Sequence, residues 1–248
     1  MKDCFEVRYN LEKMTNECAT DVPGALSSLF GNKKQDVAES IEYYNSKADA
    51  NARALKEKLG GAAEAFADKK IAFFGDSITS DRLSYANLVI RSGIFAVACE
   101  FAISGITSTI MAQKMCACAT NADYDYICVY IGTNDEYRTE DGETMVSVSE
   151  YERNLRRSAE IIKKDGAKGV FFRICDRPDT LGMTNPAPFN DAAERVAGEY
   201  GFMVIDTHKI NPTFIEDRIH LDEKTQLDLA ELFLKTLINQ KNKGFSAI

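Results

Sequence analysis

A chain of 248 residues, 45% hydrophobic and 27% charged, is long enough to bury a core without cross-links and has the balance of a folded globular protein. Its 30 Lys and Arg against 38 Asp and Glu leave a net charge of −8, the wrong sign for following a phosphate backbone, so nucleic acid is not expected as a partner. No apolar run approaches the length of a membrane span.

The opening MKDCFEVRYNLEK lacks the apolar stretch of an export signal. The seven cysteines show no framework spacing, and reduced thiols fit a cytoplasmic protein; an export signal already removed is the alternative. Phe5, Val7, Tyr9 and Leu11 alternate with polar residues, a pattern that predicts a short half-buried strand. Residues 22–32, rich in Gly, Ser and Pro, read as a loop. From Asp36 to Leu59, the apolar residues Val37, Ile41, Tyr44, Ala48, Leu55 and Leu59 mark one helical stripe, stopped by Gly60-Gly61. Such a helix is expected to pack on its own core; the alternative is an arm used for homo-oligomer formation. Residues 1–67 therefore form a mostly helical N-terminal extension, and residues 68–248 the main domain.

Near-continuous apolar runs then recur: KKIAFFG from Lys69, GIFAVACEFAI from Gly93, YDYICVYIG from Tyr124, KGVFFRIC from Lys168 and GFMVID from Gly201. Runs of this kind suit parallel strands covered on both faces. Helical patterns fill the gaps: one capped by Ser149 and ending near Gly166, one beginning PFNDAAERV, and DEKTQLDLAELFLKTLINQ at the end. Strands alternating with helices predict an α/β fold with right-handed crossovers. Cys99 and Cys128, in apolar surroundings, read as small buried hydrophobes. Cys116 and Cys118 have no neighbouring His to complete a zinc site, so no metal is expected there.

The chemistry-bearing residues gather where these strands end. The first ends in Gly75-Asp76-Ser77-Ile78-Thr79, placing a hydroxyl in the crevice beyond a carboxyl strand end. The second leads into Ser104-Gly105-Ile106, where Gly105 lets the backbone approach a substrate and offers an N–H. The third ends in Gly132-Thr133-Asn134-Asp135, and the Asn134 amide can donate to a developing oxyanion. A serine nucleophile needs a base and the base an orienting acid. Only two histidines exist. His220 follows Asp217 by three residues on a loop, and His208 follows Asp206 by two, so both stay open as the base. Arg177, after the fourth strand, is expected to be a solvated charge, the alternative being a crevice group that binds a carboxylate or a sugar hydroxyl.

Gly75-Asp76-Ser77, Gly105, Gly132-Thr133-Asn134-Asp135 and Asp217-x-x-His220 resemble, in order and in strand position, the SGNH/GDSL hydrolase family (GDSL-like lipase/acylhydrolase). The resemblance spans Lys69 to about Gln240 and implies a three-layer α/β/α, flavodoxin-like sandwich with a five-stranded parallel sheet. It implies a Ser77, Asp217, His220 triad, selecting His220 over His208, and an oxyanion hole of the Ser77 and Gly105 N–H groups with the Asn134 side chain, Asp76 and Asp135 standing in support. The expected activity is hydrolysis of a small-molecule ester carrying a short, acetyl-like acyl group, by family analogy on a carbohydrate, with no cofactor. An O-acyltransferase using the same triad and a non-catalytic binding module on the same fold are the alternatives. The sequence departs from the family pattern in having Ser80-Asp81-Arg82 where a glycine is common, and Leu221 where Pro often follows the histidine. Both departures bear on substrate rather than on mechanism.

Overall fold

In the computed structural model, which describes residues 4–15, 21–118, 123–177 and 182–245, a five-stranded sheet lies between two layers of helices. Strands β1 (Lys70–Gly75), β2 (Val97–Glu100), β3 (Tyr126–Tyr130), β4 (Lys168–Phe172) and β5 (Met203–Ile205) pair in the order β2-β1-β3-β4-β5, every pair parallel. Strand side chains alternate between faces, which is why the runs must be apolar throughout. Ile71 and Phe73 of β1 join Cys128, Tyr130, Val170 and Phe172 on one side, while Ala72 and Phe74 join Ile127, Val129 and Phe171 on the other.

The first face is covered by helices α3 (Lys34–Leu59), α5 (Tyr85–Ser92) and α9 (Glu223–Phe245). The second is covered by α6 (Ser108–Cys118), α7 (Val148–Asp165) and α8 (Ala187–Tyr200). The stripe predicted on α3 is buried at Val37, Tyr44, Ala48 and Leu55, packed within the chain against α5 and α9. Hydrophobic core thus runs without a break from the N-terminal region into the sheet. Among the described residues no helix is long and apolar enough to cross a membrane.

Four local readings need correction. Phe5 to Leu11 is not a strand: Phe5–Arg8 is a helix, α1, followed by a 3-10 turn over Leu11–Thr15. Arg8 and Tyr9 donate their N–H groups to the carbonyls of Cys4 and Phe5 at 2.9 and 3.0 Å, so Phe5 and Tyr9 share a helical face and their rings meet at a tilt, centroids 4.6 Å apart. Alternation over so few residues fits either period. Residues 22–32 are not a loop: Val22–Phe30 is α2, capped by Asp21, with Pro23 in the first turn and Gly31 ending it. Pro and Gly punctuate the ends of this helix rather than replacing it. The cap of α7 is Ser147, whose hydroxyl accepts from Glu150 N–H at 3.2 Å, not Ser149. Cys99 is half-buried rather than buried, because β2 is the sheet edge, whereas Cys128 on β3 is fully enclosed.

Candidate active site

The strand order reverses direction at β1, which has β2 on one side and β3 on the other. In open parallel sheets, ligands bind beyond the carboxyl strand ends at such a switch point, which here lies past β1 and β3. Ser77 leaves β1 as the first residue of a single helical turn, α4 (Ser77–Ser80), and Asn134 leaves β3. Gly75 makes the exit possible, since a Cβ there would stand 2.5 Å from the Tyr130 carbonyl oxygen. Asp76 caps the turn by accepting from Ile78 N–H at 3.0 Å. Gln226 of α9 braces it, donating to Ile78 O at 3.0 Å and accepting from Tyr85 N–H at 2.9 Å. Sequence reasoning missed Gln226, because a lone glutamine in an amphipathic helix carries no signal.

His220 arrives from the loop before α9. Its Nε2 lies 2.8 Å from Ser77 Oγ and its Nδ1 lies 2.6 Å from Asp217 Oδ2. The second Asp217 oxygen accepts from the N–H groups of Ile219 and His220 at 2.8 and 2.9 Å. Arg218 sits at φ +58°, and this left-handed residue folds Asp217 back onto the ring. Burial acts to raise the Asp217 carboxyl, but the His220 ring and these backbone donors outweigh it and hold the group below its ordinary value. A charged Asp217 fixes the proton on Nδ1 and leaves Nε2 to accept from the Ser77 hydroxyl. His208 lies elsewhere, with Nε2 2.8 Å from Asp176 Oδ2.

Opposite the imidazole stand the candidate oxyanion donors. Asn134 donates one amide hydrogen to Ile106 O at 2.9 Å, which leaves the other for a ligand. Gly105, at φ +78°, adopts a backbone that side chains rarely take. The Ser77 and Gly105 N–H groups have no protein acceptor among the described residues. Asp135 ties this side together: its carboxylate accepts from Ser108 N–H at 3.0 and 3.1 Å and from the Ser108 hydroxyl, so the start of α6 is pinned to the end of β3. Burial pushes Asp135 up to about 6 and Asp76 up to about 7.

Arg177 is not solvated. Its side chain is buried in an ion pair with the fully enclosed Glu136, just past Asp135; residues 178–180, which follow it, lie outside the described residues. A buried guanidinium paired this way braces the β3 and β4 loops against each other.

Sequence reasoning also missed the N-terminal region. The rings of Tyr9 and Phe5 lie 4.2 and 5.5 Å from that of His220, centroid to centroid. No spacing rule connects residues so far apart in the chain. Ser77 is only 6% exposed.

Residues 73–227, more than half of the chain, match the model of the GDSL-like lipase/acylhydrolase family. Among solved structures, the chain is similar to an acetyl xylan esterase (16% identity, TM-score 0.58, covering 67% of this chain and 98% of that one). It is also similar to the lipase/acylhydrolase from Enterococcus faecalis (20%, TM-score 0.57, 69% and 96%). A catalytic mutant of an acetylxylan esterase from Geobacillus stearothermophilus is a third (20%, TM-score 0.54, 67% and 93%). At these identities the likeness is one of fold. No curated protein matches the chain.

Proposed function

Because the chain belongs to the GDSL-like lipase/acylhydrolase family and is an ester-hydrolysing enzyme, we propose that it cleaves short acyl esters, acetyl groups on carbohydrates foremost, through an acyl-enzyme on Ser77. The observation that carries this reading is the continuous line from Ser77 Oγ through the His220 ring to Asp217, with contacts of 2.8 and 2.6 Å. His220 Nε2 takes the hydroxyl proton as Ser77 Oγ attacks the ester carbonyl. The new C–O bond places negative charge on the former carbonyl oxygen, which the N–H groups of Ser77 and Gly105 and the free Asn134 hydrogen stabilise. His220 then gives its proton to the departing alcohol. Water, deprotonated by the same nitrogen, attacks the acyl-enzyme and releases the acid, returning the proton to Ser77. Asp217 stays ionised and steadies the imidazolium in both steps.

The limited exposure of Ser77 supports a short acyl group, since a long chain needs an open groove. The carbohydrate half of the reading takes support from the two acetyl xylan esterases among the similar structures.

The test is hydrolysis of p-nitrophenyl acetate by the wild type beside Ser77→Ala, followed by acetylated xylo-oligosaccharides. Loss of activity with Ser77 is expected. Equal rates in both proteins remove Ser77 as nucleophile, and turnover of the synthetic ester without release of acetate from any sugar removes the carbohydrate assignment.

A further inference from the structure

Residues 4–15 lie outside the family-matched stretch of 73–227, yet they touch the catalytic centre on both its sides. On the imidazole side, Tyr9 is fully buried with its ring 4.2 Å from that of His220, and Phe5 approaches the same ring edge-on at 5.5 Å. On the oxyanion side, the Tyr9 carbonyl accepts from the Ser104 hydroxyl at 2.5 Å, next to Gly105. Met14 Cε lies 3.6 Å from where a Cβ on Gly105 would stand.

The segment is fastened rather than draped. Arg8 meets Asp81 through Nε and Nη2 at 2.9–3.2 Å and donates to the Leu221 carbonyl at 3.1 Å. Arg82 donates from its backbone N–H to Arg8 O and from Nε to Val7 O, both at 2.8 Å, and Asn10 donates to Ser80 O. The Ser80-Asp81-Arg82 stretch, where this chain departs from the family pattern, is therefore what receives the N-terminal segment. The two features belong together.

Asp217 and Ser77 meet the imidazole only at its two nitrogens, which leaves the ring free to rock about the line joining them. The Tyr9 ring, tilted 40° to the imidazole with centroids 4.2 Å apart, restricts this motion. Phe5 is 45% exposed and Met14 53% exposed, so each offers apolar surface at the rim, one beside the base and one beside the oxyanion donors. We propose that Phe5–Met14 is one wall of the active site, in which Tyr9 positions His220 while Phe5 and Met14 contact the groups flanking the substrate ester. The proposal rests on the Ser77–His220 reading for its kinetic arm only.

The experiment compares full-length wild type with Tyr9→Ala, Tyr9→Leu, Tyr9→Phe, Phe5→Ala and Met14→Ala, by kinetics on p-nitrophenyl acetate and by 1H–13C spectra of the histidine rings. The chain has two histidines, so two sets of ring signals arise, and His220→Gln assigns them. Tyr9→Ala is expected to lower kcat about 10–100-fold with KM nearly unchanged, the scale of a modest misplacement of a catalytic group. Tyr9→Phe should restore kcat, because the Tyr9 hydroxyl has no protein partner among the described residues. The His220 ring signals should lose their aromatic ring-current displacement in Tyr9→Ala and Tyr9→Leu and keep it in Tyr9→Phe. Phe5→Ala and Met14→Ala should act on KM, several-fold upward. Unmoved His220 signals with unchanged kcat in folded Tyr9→Ala or Tyr9→Leu overturn the positioning role, and unchanged KM in both rim variants overturns the substrate contact. If the wild type shows no Ser77-dependent hydrolysis, the proposed function fails, and the ring signals alone still decide whether Tyr9 holds His220.

Discussion

Asp76 and Asn134 follow the ends of β1 and β3, and a different outcome is expected from replacing each. Asp76 has one donor, the Ile78 N–H, and is otherwise enclosed, so burial drives its carboxyl up to about 7 from an ordinary 3.8. Below about pH 4 the group is neutral both folded and unfolded, and it costs nothing. From there to about pH 7 the unfolded chain ionises while the folded one keeps its proton, so stability falls as pH rises; above 7 the loss is constant. Asp76→Asn should therefore melt higher than wild type at pH 8, with the gain shrinking towards zero near pH 4. A gain that does not vary with pH would show that the carboxyl is not desolvated as described. Asn134→Ala should lower kcat by about 10²–10³ with little change in KM, as loss of one oxyanion donor does. An unchanged rate would take the amide out of that role. Asp76, Ser77 and Asn134 were legible as candidates because each stands just past a strand end, and Asp217 and His220 because they stand three residues apart on the loop before α9. Tyr9 was not, since a tyrosine in a short alternating run looks like any half-buried residue until the chain end is seen to reach His220.

Helix ends account for most of what the sequence concealed at the next scale up. Ser147 and Ser149 are two residues apart, and either could cap a helix; Ser147 does so because its hydroxyl meets Glu150 N–H. Residues 22–32 were read by composition as a loop, when Asp21, Pro23 and Gly31 mark a helix start and stop. Helix α1 depends on tertiary anchoring, being far too short to form alone. Its anchor is the Arg8–Asp81 pair, whose side chains are 11% and 0% exposed. Removing one partner leaves the other charge stranded, so Arg8→Ala should cost about 3–5 kcal/mol in urea unfolding. Joint replacement by Arg8→Met and Asp81→Leu should recover much of that loss. If Arg8→Ala is as stable as wild type, the pair is not what holds the segment.

For the whole molecule, the parallel α/β sandwich was readable from five apolar runs separated by helical patterns, because a doubly covered sheet leaves no strand with a polar face. Packing of the helical stripe of residues 36–59 on its own core was the expectation, but which elements it meets was not readable, since an amphipathic stripe does not name its neighbours. Val37, Tyr44, Ala48 and Leu55 bury against α5 and α9. A fragment of residues 68–248 should consequently expose that face, bind hydrophobic dyes and aggregate. A soluble fragment that melts with the full chain would make 1–67 a dispensable extension.

The bond from Arg8 to the Leu221 carbonyl joins positions 213 residues apart. Chains are synthesised from the N-terminus, and a contact of such span closes last. On the ribosome, Ser77, Gly105 and Asn134 emerge long before Asp217, His220 and Leu221. Under the proposed triad, a nascent or truncated chain that stops before Asp217 and His220 should therefore be esterolytically silent, however much of the sheet it has already folded.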